Sequence, residues 1–166
     1  MMPDITDISP DAEEPPSFEV NLTINDTRWA DAITHIESII HHTLITLLEQ
    51  ESCEHGAMVA VVLSNDDEIQ TLNRDFRHKD KPTNVLSFPD GEEGALGDII
   101  LSFDTLKREA SEQNKTFQHH IIHMLTHGTL HLLGHDHEED GEAAIMEARE
   151  ISFLKTFNIS NPYSEV

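Results

Sequence analysis

The residues best suited to chemistry lie in one stretch, His127-Gly128-Thr129-Leu130-His131-Leu132-Leu133-Gly134-His135-Asp136-His137. His127 and His131 are four apart. On a helix that spacing puts both imidazoles on one face, with their backbones ~6 Å apart along the axis. Two rings so placed can reach one metal ion. Gly134 lets the chain leave the helix and turn back, which gives His137 a route to a third coordination position. Three neutral imidazoles leave one tetrahedral position for water, the arrangement of a catalytic zinc site. Two alternatives stay open. His120, His123 and His127 share a helical face and form a rival triad, and a His-rich tract can chelate metal nonspecifically. Leu130, Leu132 and Leu133 favour a helix anchored in a core, which a solvated tract would not need. Gly128 stands where the HExxH peptidases carry their general-base glutamate, and this argues against a protease of that kind.

A second constellation is basic. Arg74, Arg77, Lys79 and Lys81 are four of the chain's ten Lys and Arg residues and fall within eight positions. Asp75 and Asp80 leave a local charge of +2 on a chain of formal charge −22. A plain solvated loop would show the same run. Pro82 and Thr83-Asn84 suggest a shaped loop instead. An arginine there could hold phosphate oxygens through two parallel hydrogen bonds.

These residues need elements to position them. Phe18, Val20, Leu22 and Ile24 alternate with polar residues and predict a half-buried strand. Trp29, Ile33, Ile36, Ile40, Leu44 and Leu47 predict one long amphipathic helix, opened by Asp26 or Thr27. Its His35, His41 and His42 have no partner ligands in view and read as surface residues. Ala57 to Leu63 reads as a fully buried strand. A short helix carrying Ile69, Leu72 and Phe76 follows, capped by Ser64 with Asp67 or Asn65 with Glu68. Strands are expected at Val85–Phe88 and Asp98–Ser102, with a loop over residues 90–94 between them. Helices are expected over residues 104–113, 117–133 and 139–157, the last with Ile145, Met146, Ile151 and Leu154 inward. The fold class is α+β: a small mixed sheet of about four strands packed with four to five helices in a single domain.

The string from His127 to His137 resembles the signature of the YbeY family of bacterial metal-dependent endoribonucleases. Phe76-Arg77-His78-Lys79-Asp80-Lys81-Pro82-Thr83-Asn84-Val85-Leu86-Ser87-Phe88-Pro89 resembles that family's other hallmark, and Leu96-Gly97-Asp98-Ile99-Ile100 also fits. The resemblance runs from about Val59 to Tyr163. It implies a zinc-binding, single-strand-specific RNase acting in maturation of the 16S rRNA 3′ end and in ribosome quality control. It also implies one Zn²⁺ per chain on His127, His131 and His137, with Arg77 as the functional arginine. The implied partners are single-stranded RNA, in particular rRNA of the small ribosomal subunit, and also ribosomal proteins or assembly GTPases. His135 departs from the family, in which an aromatic residue is common at that position. It stands either as an extra ligand or proton carrier, or as a simple replacement. Asp136 is a candidate to orient a ligand imidazole by accepting its other N–H, or a plain acid at a helix start. Two other readings remain: a noncatalytic ribosome-assembly factor with a structural zinc, and a metallohydrolase of another substrate class.

Composition bounds the rest. The 166 residues suit one domain of ordinary size. With 32 acids against 10 bases, the chain is unsuited to coating nucleic acid by bulk positive charge. One cysteine, Cys53, fits a reducing compartment, and no run marks a membrane span. The first 16 residues hold five acids and no base, unlike a secretory or transit signal, so a cytoplasmic protein is expected. Residues 1–16 read as a disordered acidic lead, and 17–166 as the folded domain. Trp29 and Tyr163 are the only Trp and Tyr, so the sequence suggests no aromatic-rich stacking platform.

Overall fold

A computed structural model describes residues 17–136 and 138–164. The proposed acidic lead and His137 lie outside the described residues. Four strands form one mixed sheet in the order β1-β2-β4-β3: β1 (Glu19–Ile24), β2 (Met58–Ser64), β3 (Val85–Pro89) and β4 (Ala95–Ser102). β1, β2 and β4 run parallel, and β3 is antiparallel to β4 across the loop over residues 90–94. Six helices accompany it: α1 (Arg28–Ala32), α2 (Ile36–Gln50), α3 (Asp66–Arg77), α4 (Phe103–Glu112), α5 (Phe117–Leu132) and α6 (Asp140–Thr156). The expected α+β class and four strands are present, with one helix more than the range expected.

The extra helix comes from a break. The apolar steps from Trp29 to Leu47 are continuous, but the chain extends at Ile33 and turns left-handed at His35, with φ +60°. Trp29, Ile33, Ile36 and Ile40 still share one core, so the periodicity conceals the interruption. Trp29 is fully buried among Phe103 and Phe117, and its indole N–H donates to the Ser64 carbonyl at 2.9 Å. The β2 expectation also changes. Val59, Val61 and Leu63 are fully buried on one face, whereas Ala60 and Val62 are half-buried on the other and Met58 is 37% exposed. A helical layer of α1, α2, α4 and α5 packs on the first face. On the second, Ile69 and Leu72 of α3 meet Val62, Leu86, Phe88 and Ile100.

α5 is the helix that matters for function. Thr116 caps it by accepting from the His119 N–H at 3.1 Å. It lies against β3 and β4 and is flanked by α2, α4 and α6. Gly128 marks the closest approach to the sheet. A Cβ there would stand 3.0 Å from Ser87 Oγ, 3.1 Å from Val85 Cγ2 and 3.2 Å from Ile99 Cγ2. Gly134 then takes φ +97° and ends the helix, as its place in the sequence suggests. The expected inward face of α6 is corrected. Ile145 is 57% exposed, while Met146, Glu150, Phe153 and Leu154 are buried.

Candidate functional site

His127 and His131 project from α5 toward one point, with their Nε2 atoms 3.2 Å apart. The Nδ1 of His127 is hydrogen-bonded to Oε1 of Glu150 on α6. A carboxylate only accepts, so Nδ1 carries a proton toward Glu150, and Nε2 is the atom turned to His131. Two ring nitrogens at that distance are bridged by a proton or by a cation. Two nitrogens each 2.0–2.1 Å from one tetrahedral zinc would lie about 3.3–3.4 Å apart. The pair therefore fits a shared cation, and the carboxylate behind His127 fits the usual support of a metal-binding imidazole.

Glu150 was not foreseen from the sequence. It is fully buried, accepts from His127, and is bonded through Oε2 to His123 Nε2 at 3.2 Å and to the Tyr163 hydroxyl. Burial pushes its carboxyl up, but the bonds to His123, His127 and Tyr163 outweigh that and hold it at about 2. It is thus an anion inside the protein, compensated by three donors. Burial and then the bond to Glu150 push the Tyr163 phenol well above its ordinary range. His123 is driven down by burial and stays neutral. The signal for Glu150 lay in its register. It sits four residues after Met146 and four before Leu154, so it is an acid within the apolar stripe of α6.

In the rival triad the rings are held by carboxylates: His120 Nε2 pairs with Glu109 at 3.0 Å, and His123 Nε2 is bonded at 3.2 Å to Glu150, the same side chain that holds His127. His135 lines a separate cleft with Gln50, Glu51 and Arg149. Asp136 accepts from the Glu138 N–H at 3.3 Å, which suits an acid leading into α6. Among the described residues no group of three His, Cys, Asp or Glu side chains gathers around one metal position. His127 and His131 stand together as a pair, and His137 lies outside the described residues.

Arg77 ends α3, where the left-handed His78 (φ +60°) stops the helix. Its Nη2 donates to the Ser87 carbonyl at 2.7 Å, and its guanidinium lies 5.0 Å above the Phe88 ring. The Ser87 hydroxyl donates in turn to the Gly128 carbonyl at 2.9 Å. Two hydrogen bonds through β3 therefore join the arginine to the residue beside His127. The expected cap of α3 is the Asn65 one: its side chain accepts from the Glu68 N–H at 3.0 Å. Asn73 then pins the basic loop by donating to the Lys81 carbonyl at 2.9 Å.

Comparison with known proteins bears on the family and the fold. A family model described as Endoribonuclease YbeY matches residues 22–158. An Endoribonuclease YbeY of a Bradyrhizobium species (strain BTAi1) is 44% identical over 148 residues, covering 82% of this chain and 87% of its own. One from Azorhizobium caulinodans is 40% identical over 154 residues, covering 89% and 97%. The solution structure of TM1509 from Thermotoga maritima superimposes with a TM-score of 0.58 at 29% identity, covering 84% of this chain and 87% of that one. Among the described residues no helix is long and apolar enough to cross a membrane.

Proposed function

The chain belongs to the YbeY endoribonuclease family, and from that premise we propose that it is a metal-dependent endoribonuclease cutting single-stranded RNA. The observation that carries the metal dependence is the 3.2 Å approach of the His127 and His131 Nε2 atoms, with the Nδ1 proton of His127 held by buried Glu150. His127, His131 and His137 are the proposed ligands of one Zn²⁺. When bound, zinc supplies Lewis acidity toward a phosphoryl oxygen and lowers the pKa of its water to ~7.

The chain's own groups do the positioning. Glu150 fixes the tautomer and the orientation of His127. Ser87 holds Arg77 by a backbone carbonyl, so the guanidinium is set in place before substrate arrives and keeps further N–H groups to donate to phosphate oxygens. Asp136 is proposed as an orienting acid at the turn into α6. We place the activity in the cytoplasm, in 16S rRNA 3′-end maturation and ribosome quality control. Its proposed partners are small-subunit rRNA, ribosomal proteins and assembly GTPases.

Metal analysis and RNA cleavage test the proposal together. The purified chain should carry about one zinc and cut single-stranded RNA, and a chelator should abolish cutting. His131→Ala should lose both metal and cleavage, whereas His41→Ala, on the exposed surface of α2, should lose neither. Full zinc retention by the His131→Ala protein would sink the assignment.

A further inference from the structure

The basic end of α3 exposes an aromatic residue that the nuclease reading leaves unused. Phe76 is 62% exposed, although its neighbours on α3, Ile69 and Leu72, pack into the sheet. Its ring meets Phe88 edge-on, with centroids 5.5 Å apart and planes at 64°. Phe88 in turn lies beneath the Arg77 guanidinium. Phe88 is half-buried between partners, while Phe76 is mostly open to solvent. The surroundings are the basic run of an otherwise acidic chain: Arg74, Arg77, Lys79 and Lys81. The loop that follows is held in shape, with the Lys79 N–H donating to the Asn73 carbonyl at 3.2 Å and Gln70 donating to Asp80 at 3.0 Å.

We propose that Phe76 is a stacking platform for one unpaired nucleobase of single-stranded RNA, with Arg77 gripping the adjoining phosphate. An exposed apolar ring within the most basic stretch of the chain is poorly matched to an apolar peptide and well matched to a polyanion that carries flat rings. Base stacking on an aromatic side chain needs no particular base, because every base has a π-face. It does need the base to be unstacked from its own neighbours, which single strands supply and a helix interior does not. Phe88 and Ser87 fix the arginine next to the platform, so base and phosphate are read as one unit. The choice of RNA as ligand rests on the proposed nuclease function. The stacking itself does not require catalysis.

The test uses a short single-stranded oligoribonucleotide containing 2-aminopurine, whose fluorescence is quenched by stacking. The full chain is titrated with it, both zinc-loaded and in chelator. Wild type should quench the probe. Phe76→Ala and Phe76→Leu should lose the quench and bind roughly 5- to 100-fold more weakly, the range for one lost base–aromatic stack. Phe76→Trp should bind like wild type. An oligonucleotide with abasic positions throughout should bind wild type as weakly as intact RNA binds Phe76→Leu. Melting temperatures near wild type would show that the variants are folded, as expected for a side chain this exposed. Unchanged affinity and quench in Phe76→Leu would overturn the proposal, as would a wild type that quenches the probe under neither condition. Cleavage of the same RNA by zinc-loaded wild type separates the two claims. Phe76-dependent binding without cutting refutes the nuclease alone, and cutting with Phe76-independent binding refutes the platform alone.

Discussion

Glu150 separates positioning from ligation at the level of single residues. Its carboxylate is compensated by three donors, and it would act on a metal at the proposed site only through His127. Glu150→Gln keeps the shape but turns one acceptor into an NH₂ donor, which must then face another donor. We expect zinc affinity, read by chelator competition, to fall about 10- to 100-fold, the usual effect of losing the group behind a metal-binding histidine. The absorption of the cobalt-substituted protein should shift as well. Unaltered affinity would reduce Glu150 to a packing role. Arg77→Ala should behave in the opposite way. Metal content and melting temperature should hold, because the side chain is exposed and touches the fold by one hydrogen bond and one ring. Cleavage should drop by ~10²-fold, the scale for one charge-stabilising donor. His127 and His131 stand out in the sequence by type and spacing, and Arg77 is singled out there by the family resemblance. Glu150 was not legible: in a chain with 32 acids, one more in a helix reads as surface. Only its place in the stripe with Met146, Phe153 and Leu154 distinguishes it.

Among the elements, the contact between α5 and β3 decides whether the site exists. Gly128 lets the helix approach until Ser87 Oγ reaches its carbonyl. Gly128→Ala would add a methyl 3.0–3.2 Å from three atoms of β3 and β4, and two of those belong to side chains well fixed in the sheet. The helix gains propensity, worth about 1 kcal/mol, but the overpacking costs about 1–3 kcal/mol, so a melting temperature lower by several degrees is expected. Zinc affinity should fall with it, since the neighbouring residue is His127. The same contact leaves little room at that helical position for a side chain as large as glutamate. A second junction joins α1 to α4. Arg28 donates to Asp26 at 3.0 Å and to Asp104 at 2.7 Å. Its hydrogen bonds pull the carboxyl of Asp26 well below the ordinary 3.8 and lower that of Asp104 as well. Groups depressed in the folded state stabilise it fully above their unfolded value, and that support is lost as pH falls below it. Thermal melts between pH 6 and 2, on the order of the carboxylate range, should show a steeper acid loss for wild type than for Arg28→Gln. Parallel curves would assign the acid sensitivity elsewhere. The strands were legible because alternation and β-branched runs survive in the fold. The break between α1 and α2 was not, because both segments feed the same core in the same register.

At the scale of the whole molecule, the charge of −22 and the basic run at α3 act on RNA in opposite directions. The overall field repels a polyanion and slows encounter, and added salt screens that repulsion. The local contacts release counterions from RNA, and added salt weakens them, with a slope of about −0.7 per neutralised phosphate on a single strand. Four bases at most can make such contacts here, so the logarithm of affinity should fall against the logarithm of salt with a shallow slope of roughly −1 to −3. The association rate should rise or stay level over the same series, and the dissociation rate should carry the loss. A steep slope with a falling association rate would mean that a larger cationic surface guides the RNA, and would count against Arg77 and its neighbours as the contact. The same balance sets which nucleic acid is cut. The proposed metal position and Arg77 would both address phosphate, which duplex and single strand share, so these groups cannot discriminate strandedness. An unpaired base beside them can, because a duplex keeps its bases stacked and paired. Matched single-stranded RNA, double-stranded RNA and single-stranded DNA at fixed salt should therefore show preferential cutting of the RNA single strand, with His131→Ala as the contamination control. Equal cutting of duplex and single strand would remove the base from the recognition scheme. Cutting that survives His131→Ala would belong to a contaminating nuclease and leave a noncatalytic assembly factor as the better account of the chain.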